Sequence, residues 1–473
     1  MVRTPQPSPF RPATTILSLG EGFFDPVRPA DFPEAKLRFR NDRWAPAVGL
    51  DGLDDDAWIR HFGRFEPLDG SLPEPLALRY HGHQFRNYNP DLGDGRGFLF
   101  AQLRDGEDRL LDLGTKGSGQ TPYSRFGDGR LTLKGGVREV LATEMLEALG
   151  VETSKTFSLI ETGEQLHRGD EPSPTRSAVM VRLSHGHIRI GSFQRLAWFK
   201  DTAGLEKLTR YCLTELYGDT PGDNPAGQLL DHVVSGTARL AASYMAAGFV
   251  HGVLNSDNIN VTAESFDYGP WRFTPRWQPG FTAAYFDQEG LYAFGRQAQA
   301  IHWDVVQLAV ALSQIAPPEQ LTPPLERFAT EYERAFAEAI FARLGIASRG
   351  EEDDLSLLQA METALNGSEV DIDRFFFDWT GGARRGPSPA DPIYDQPPFA
   401  DFIAQIAAFA PARTLDHPYW SDPDPCSMHI GEVEAIWARI AEDDDWSALD
   451  AKVSAVRRMG EAMRGQNGHA PTT

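Results

Sequence analysis

Two carboxylates and an amide stand where a divalent cation could be held. The run His251-Gly252-Val253-Leu254-Asn255-Ser256-Asp257-Asn258 closes on an acid and an amide, and Asp267-Tyr268-Gly269 begins nine residues later. Amide and carboxylate oxygens are hard donors suited to Mg²⁺ bridging phosphates. Far upstream, Lys116 follows a strand-like run and Glu139 falls in the first turn of the next helical pattern. A lysine and a carboxylate so placed can meet as an ion pair that fixes the lysine against phosphates. The bland alternatives are real. Lys116 and Glu139 are also compatible with two surface charges, and Asn-Ser-Asp-Asn is good turn chemistry without catalysis.

Glycine and arginine supply a second group of candidates. Gly93-Asp94-Gly95-Arg96 and Gly127-Asp128-Gly129-Arg130 repeat one tetrapeptide. Glycines let backbone N–H groups approach phosphate, and an arginine can fork onto two oxygens. Two tight turns with exposed arginines would look the same. Arg182 and Arg189 flank Ser184-His185-Gly186-His187. A two-residue turn at His185-Gly186 would set them opposite each other, which is unfavourable unless something negative, such as a terminal phosphate, lies between. His81-Gly82-His83 and His185-Gly186-His187 lack a third ligand at metal-like spacing, so turn or core histidines are expected. Neither a G-x-S-x-G elbow nor a G-x-x-x-x-G-K-[ST] phosphate loop occurs.

The elements that must position these residues follow from periodicity. Phe98–Leu103 and Leu110–Leu113 flank Asp105-Gly106-Glu107-Asp108 and predict a hairpin. Val137–Leu149 carries a helical stripe ending at Gly150, and Lys155–Ile160 and Ala178–Leu183 predict strands. Helices are expected over Leu229–Phe249, Trp303–Ile315 and Leu325–Leu344, a loop over Gly381–Pro398, then an acidic helical tail to about Arg464. The last ten residues are expected to be disordered. A strand-rich unit followed by a helical one predicts an α+β fold of two lobes with a ligand cleft between them.

Composition narrows the partners. Of 473 residues, 41% are hydrophobic and 24% charged, enough for a core and against disorder or coiled coil. No apolar run is long enough for a transmembrane helix. Lys+Arg number 45 against 67 Asp+Glu, a formal charge of −22. That field repels nucleic-acid backbones and anionic lipid, so neither nucleic acid nor membrane is an expected partner. Two cysteines, Cys212 and Cys426, exclude a disulfide framework and a cysteine-rich zinc site; reduced thiols are expected, with one long-range bridge as the alternative. The first twenty residues have no secretory pattern, so cytoplasmic residence is the default expectation.

The protein-kinase catalytic loop has the form H-R-D-x-x-x-x-N, with a metal-binding Asp opening a later D-F-G. His251, Asn258 and Asp267 keep that spacing, but Val253 stands where the template has its base. A valine accepts no proton, and Asp257 is the available substitute. The motifs, in order, are Tyr80-His81-Gly82-His83-Gln84-Phe85, Leu92-Gly93-Asp94-Gly95-Arg96, Lys116-Gly117-Ser118-Gly119, Thr121-Pro122-Tyr123-Ser124-Arg125, Gly127-Asp128-Gly129-Arg130, the His251–Asn258 run and Asp267-Tyr268-Gly269-Pro270. Over roughly residues 77–310 the chain resembles the selenoprotein O family.

That resemblance implies a protein-kinase-like fold binding ATP end for end and transferring AMP to protein hydroxyl groups. It implies Asp257 as proton acceptor, and Asn258 and Asp267 as Mg²⁺ ligands, Asp267 also near the nucleotide. Lys116, Arg182 and Arg189 would bind phosphates, Glu139 would orient Lys116, and Gly93, Gly95, Arg96, Asp128 and Gly129 would complete the pocket. UTP with Mn²⁺ is a variant of the same chemistry. The implied domains are an N-terminal extension (1–76), a kinase-like N-lobe (77–200), a C-lobe (201–345) and a helical C-terminal region (346–473). By the same analogy Asp304 would anchor the catalytic loop; a helix N-terminal acid is an equally good reading. An ordinary phosphotransferase and an inactive nucleotide-binding scaffold are the competing readings. Relatives with a cysteine or selenocysteine close to the C-terminus differ from this chain, whose Cys426 lies well inside.

Overall fold

A computed structural model of the chain describes residues 5–464 except Asp170. The expected disorder of the last ten residues lies outside the described residues, save Arg464, which ends the last helix.

Period-2 alternation builds the first lobe. In Thr175–Ser184, Val179, Val181 and Leu183 face an aromatic core, while Ala178 and Met180 face the other way. In the neighbouring Leu110–Lys116, Leu111 and Leu113 share that aromatic side. The antiparallel register sets Met180 against Lys116 and Arg182 against Gly114. Two cationic residues are thereby placed on the face away from the aromatic core. The strands Phe24–Pro26, Leu76–Leu78, Leu99–Arg104, Leu110–Lys116, Thr175–Ser184, Lys155–Leu166 and Lys36–Arg40 lie side by side in that order, and Pro12–Ala13 and Leu131–Thr132 complete a nine-stranded sheet. Strands from the first forty residues are thus part of this sheet.

Trp58, Phe62, Phe65, Phe98, Phe100 and Phe157 pack one face, Trp58 stacking on Phe157 at 4.9 Å. The helix Leu133–Ala148 packs on the strands from the other side. It begins four residues earlier than its apolar stripe suggested, because Thr132 caps it through Gly135 N–H at 3.1 Å. Glu139 therefore falls in the second turn instead of the first. Val137, Val140, Leu141 and Met145 are fully buried on this helix, each stabilising by roughly 1.5–3 kcal/mol.

The second lobe is helical, centred on Pro225–Ala247, which ends at left-handed Gly248. Gln297–Leu312 and Phe328–Leu344 pack on it. The expected helix from Leu325 is two: Pro318–Glu326 ends before Phe328 begins. The expected loop 381–398 contains a short helix, Asp391–Tyr394, because Tyr394 has buried aromatic partners in Trp379 and Phe399. The helices Ile430–Asp443 and Ser447–Arg464 return to the first lobe, where Lys134 meets Glu434 at 2.7 Å and Arg457 meets Glu144 at 2.6 Å. The whole is a two-lobed α+β architecture, as the strand-rich and then helical patterns predicted. No helix among the described residues is long and apolar enough to cross a membrane.

Candidate active site

A cleft of about 690 Å³ is lined by Gly93, Gly95, Arg96, Lys116, Asp128, Gly129, Arg182, Arg189, Asp257, Asn258 and Asp267. Residues scattered from Gly93 to Asp267 converge there. Glu139 stands behind Lys116 and is 1% exposed.

The buried wall is an ion cluster. Lys116 Nζ donates to Glu139 Oε2 at 2.6 Å and lies 3.4 Å from the Tyr268 carbonyl. Arg182 Nη1 and Arg189 Nη1 each reach one oxygen of Asp267 at 2.5 Å. Burial opposes ionisation of Asp267, but Arg182, Arg189 and Lys116 outweigh it and hold the carboxyl well below its usual range. Burial pushes Lys116 below the usual lysine range, with Glu139 opposing. Phe266 lies under both guanidinium groups, at 5.2 and 4.6 Å, and Tyr80 under Arg189 at 4.6 Å.

The expected hairpin between Arg182 and Arg189 does not form. After Ser184 the chain leaves the sheet, and Ile188 and Ile190 hydrogen-bond to the 259–261 segment instead. Arg182 faces Gly114 and Thr156, and Arg189 bridges Asn260. The two cations still converge, and the negative group between them is Asp267. Asp267 has φ 61°, a left-handed conformation that Asp tolerates better than most residues.

The Asn255–Asn258 run, reached by Arg189 Nη1 through the Asp257 carbonyl at 2.7 Å, divides its labour. Asn255 Oδ1 accepts from Phe85 N at 3.0 Å and Tyr292 OH at 2.6 Å, and Ser256 Oγ accepts from His83 N at 2.8 Å. These two are the turn residues of the bland reading. Asp257 is 7% exposed, and its Oδ1 has no hydrogen-bond partner among the described residues. Burial pushes its carboxyl up to about 6, against the pull of Arg189. A Cβ at position 82 would lie 2.7 Å from Asp257 Oδ1, so the glycine of His81-Gly82-His83 is what leaves room for this carboxylate. His83 and His81 bond to Gln194 and Tyr88, fitting the non-metal reading. Asp304 lies mid-helix, not at a helix N-terminus; burial and then Asp257 push it well above the usual range, and its buried Oδ2 has no partner among the described residues.

The donor set fits a divalent cation. Asn258 Nδ2 donates to the Val253 carbonyl at 3.0 Å, which orients the amide and leaves its oxygen uncommitted. Asp267 supplies a fully ionised carboxylate, although both oxygens are held by arginines that a triphosphate would have to draw away.

Several site residues escaped the sequence. Asp94 Oδ2 accepts from Leu78 N at 3.0 Å, and its Oδ1 lies 3.5 Å from Arg189. Its place in the first Gly-Asp-Gly-Arg repeat, matching Asp128 in the second, was the available signal. Arg168 pairs with Asp128 at 2.8 Å across forty residues, with no motif to announce it. Gly93 packs so closely on the Tyr123 ring that a Cβ would sit 2.3 Å from it. That glycine lets the first repeat lie against the Thr121–Arg125 segment. Arg96 is exposed and makes no side-chain hydrogen bond or ion pair among the described residues.

The family model described as protein adenylyltransferase SelO matches residues 10–385. The protein nucleotidyltransferase YdiU of Synechocystis sp. is 42% identical over 463 residues, covering 93% of this chain and 96% of that protein. Its counterpart in Gloeobacter violaceus is 43% identical, covering 93% and 94%. The one in Azotobacter vinelandii is 34% identical, covering 76% and 73%. Among solved structures, a Toxoplasma gondii rhoptry antigen kinase domain matches with TM-score 0.29 and 12% identity, over 57% of this chain and 84% of that one.

Proposed function

The chain belongs to the protein adenylyltransferase SelO family, and from that premise we propose that it transfers AMP from ATP to Ser, Thr or Tyr hydroxyls of target proteins. The nucleotide lies reversed, with its β and γ phosphates against the buried wall. The observation that carries this reading is the placement of cations: Lys116, Arg182 and Arg189 are each 6% exposed or less. A buried wall of three cations suits phosphate oxygens and is a poor surface for a purine.

In the proposed step the acceptor hydroxyl oxygen attacks the α-phosphorus. The bond from that phosphorus to the α,β-bridging oxygen breaks, and pyrophosphate leaves with the electron pair. Asp257 takes the hydroxyl proton, and its raised affinity for protons makes it a better base than an exposed aspartate. Lys116, Arg182 and Arg189 meet the charge that gathers on the leaving group. Glu139 holds Lys116 in place, while Gly93, Gly95, Arg96, Asp128 and Gly129 form the pocket for the rest of the nucleotide. Mg²⁺ held by Asn258 and Asp267 would add charge neutralisation at the phosphates. UMP transfer with Mn²⁺ would use the same geometry. Val253 leaves the usual kinase base position empty of any proton acceptor.

Incubation with ATP labelled at the α or the γ phosphorus tests the reading. Protein-bound label from the α position alone is expected. Label from the γ position alone would make the chain a kinase, and binding without transfer would make it a scaffold.

A further inference from the structure

Far along the chain from the cleft residues, three side chains of the C-terminal region meet in a way that hydrogen bonding leaves unexplained. Asp371 and Asp373 open the helix Ile372–Asp378, and His429 precedes the helix Ile430–Asp443. One oxygen or nitrogen from each lies within 4.8 Å of the other two. His429 Nε2 is 3.4 Å from Asp371 Oδ2 and 3.6 Å from Asp373 Oδ2.

Two of these three atoms are buried and unsatisfied, while Asp371 stands at the more open side with its side chain 36% exposed. Asp373 is 5% exposed, and its Oδ2 has no hydrogen-bond partner among the described residues, nor has His429 Nε2. Each carboxylate already uses its other oxygen: Asp371 Oδ1 caps its helix through Arg374 N at 3.0 Å, and Asp373 Oδ1 pairs with buried Arg343. A protonated His429 would have to aim its N–H at one acid, yet neither contact meets hydrogen-bond geometry. A neutral His429 protonated on Nδ1 would aim its Nε2 lone pair at two anions, which is repulsive, and one protonated on Nε2 meets the same poor geometry as the charged ring. A cation at the centre removes the conflict in both cases.

We propose that Asp371, Asp373 and His429 bind a first-row divalent cation, Zn²⁺ foremost. Metal–ligand bonds of about 2.0–2.1 Å in a tetrahedron put neighbouring ligand atoms roughly 3.4 Å apart, the spacing found between His429 and the two acids. The imidazole selects Zn²⁺ over Mg²⁺ or Ca²⁺, which prefer all-oxygen sites. Water takes the fourth position. Arg343 leaves the three-ligand set one net negative charge, which a dication reverses to one positive. The site ties the Ile372 helix to the segment that carries Glu434 back to Lys134 on the Glu139 helix. It is a strut, not a second reaction centre.

Co²⁺, whose tetrahedral complexes absorb visibly, is the probe, with Zn²⁺ used in thermal melts. His429→Gln and Asp371→Asn are the variants, since His429 makes no capping bond and Asn retains the cap of Asp371. Whatever metal the cleft takes is common to all three proteins, so the difference reads this site. Wild type is expected to bind one more Co²⁺ per chain, with the tetrahedral spectrum, than either variant. Zn²⁺ is expected to raise the wild-type Tm and to raise the variants' less, with affinity at this site falling ten-fold or more, about the loss seen when a metal site loses one of its supporting groups. Equal Co²⁺ stoichiometry in wild type and both variants would overturn the proposal.

Discussion

Two groups of residues in the cleft are opposite in their pairing. Lys116, Glu139, Arg182, Arg189 and Asp267 are cross-linked, each cation meeting a carboxylate within hydrogen-bond distance. Asp257, whose carbonyl oxygen accepts from Arg189 at 2.7 Å, keeps one carboxylate oxygen uncommitted, and burial raises its carboxyl with a smaller push from Asp267. Pairing fixes the first group in position, and the cations hold the Asp267 carboxyl ionised. Lack of pairing makes the second group basic, at a cost in stability. A protein tolerates such a cost where the strained group is used, and the contrast is what separates the proposed phosphate-binding side from the proposed proton acceptor.

The contrast is broken most severely at its centre. Asp267→Ala leaves two buried guanidinium groups facing each other, so transfer is expected to fall at least a thousand-fold, with a loss of stability on the order of 3–5 kcal/mol. Thermal melts beside the labelled-ATP assay check this; an unchanged Tm would mean the arginines do not depend on Asp267.

Asp257→Asn should act in the reverse sense. Turnover is expected to drop about 10²–10⁴-fold while nucleotide affinity stays within a few-fold. Stability should rise. The folded chain holds the Asp257 proton more tightly than the unfolded chain, so ionisation erodes stability as pH climbs from the ordinary 3.8 through about 6. Asn is spared this, a gain on the order of 3 kcal/mol at pH 8. Wild-type turnover should correspondingly rise with pH through about 6 and then level off. A destabilised variant, or an acid limb retained in it, would remove Asp257 from the role.

Smaller effects sharpen the comparison. Gly82→Ala pushes a methyl against Asp257 Oδ1 and should lower kcat by roughly ten-fold or more through misplacement, with KM for ATP little changed. Arg168→Ala frees the half-exposed Asp128; such surface pairs contribute about 0–1 kcal/mol, so KM for ATP should rise less than about five-fold at constant kcat. Steady-state kinetics at matched pH distinguishes the two.

How much of this was legible in the sequence depended on locality. Strand alternation followed by helical periodicity marked the two lobes, and the candidate residues picked out by short motifs meet in one cleft or, for Glu139, just behind it. What stayed hidden were relations between distant segments. Arg182 and Arg189 were expected to share a hairpin, but Ile188 and Ile190 found better partners at 259–261, and Asp267 became the link between them. The helix boundary moved because Thr132 caps a helix that starts four residues before the apolar stripe, so Glu139 slid by a turn. Nothing near Gly82 announces that Asp257 will press against it 175 residues later. The Asp371–Asp373–His429 cluster had no motif, since its histidine comes from another helix.

A crystal structure with a non-hydrolysable ATP analogue and Mg²⁺ tests the central claim most directly. The account predicts the terminal phosphate between Arg182, Arg189 and Lys116, released from their carboxylates, with the α-phosphorus beside Asp257 and adenine toward the Arg96 side. Adenine seated against Lys116 and Phe266, with the terminal phosphate beside Asp257, would contradict it.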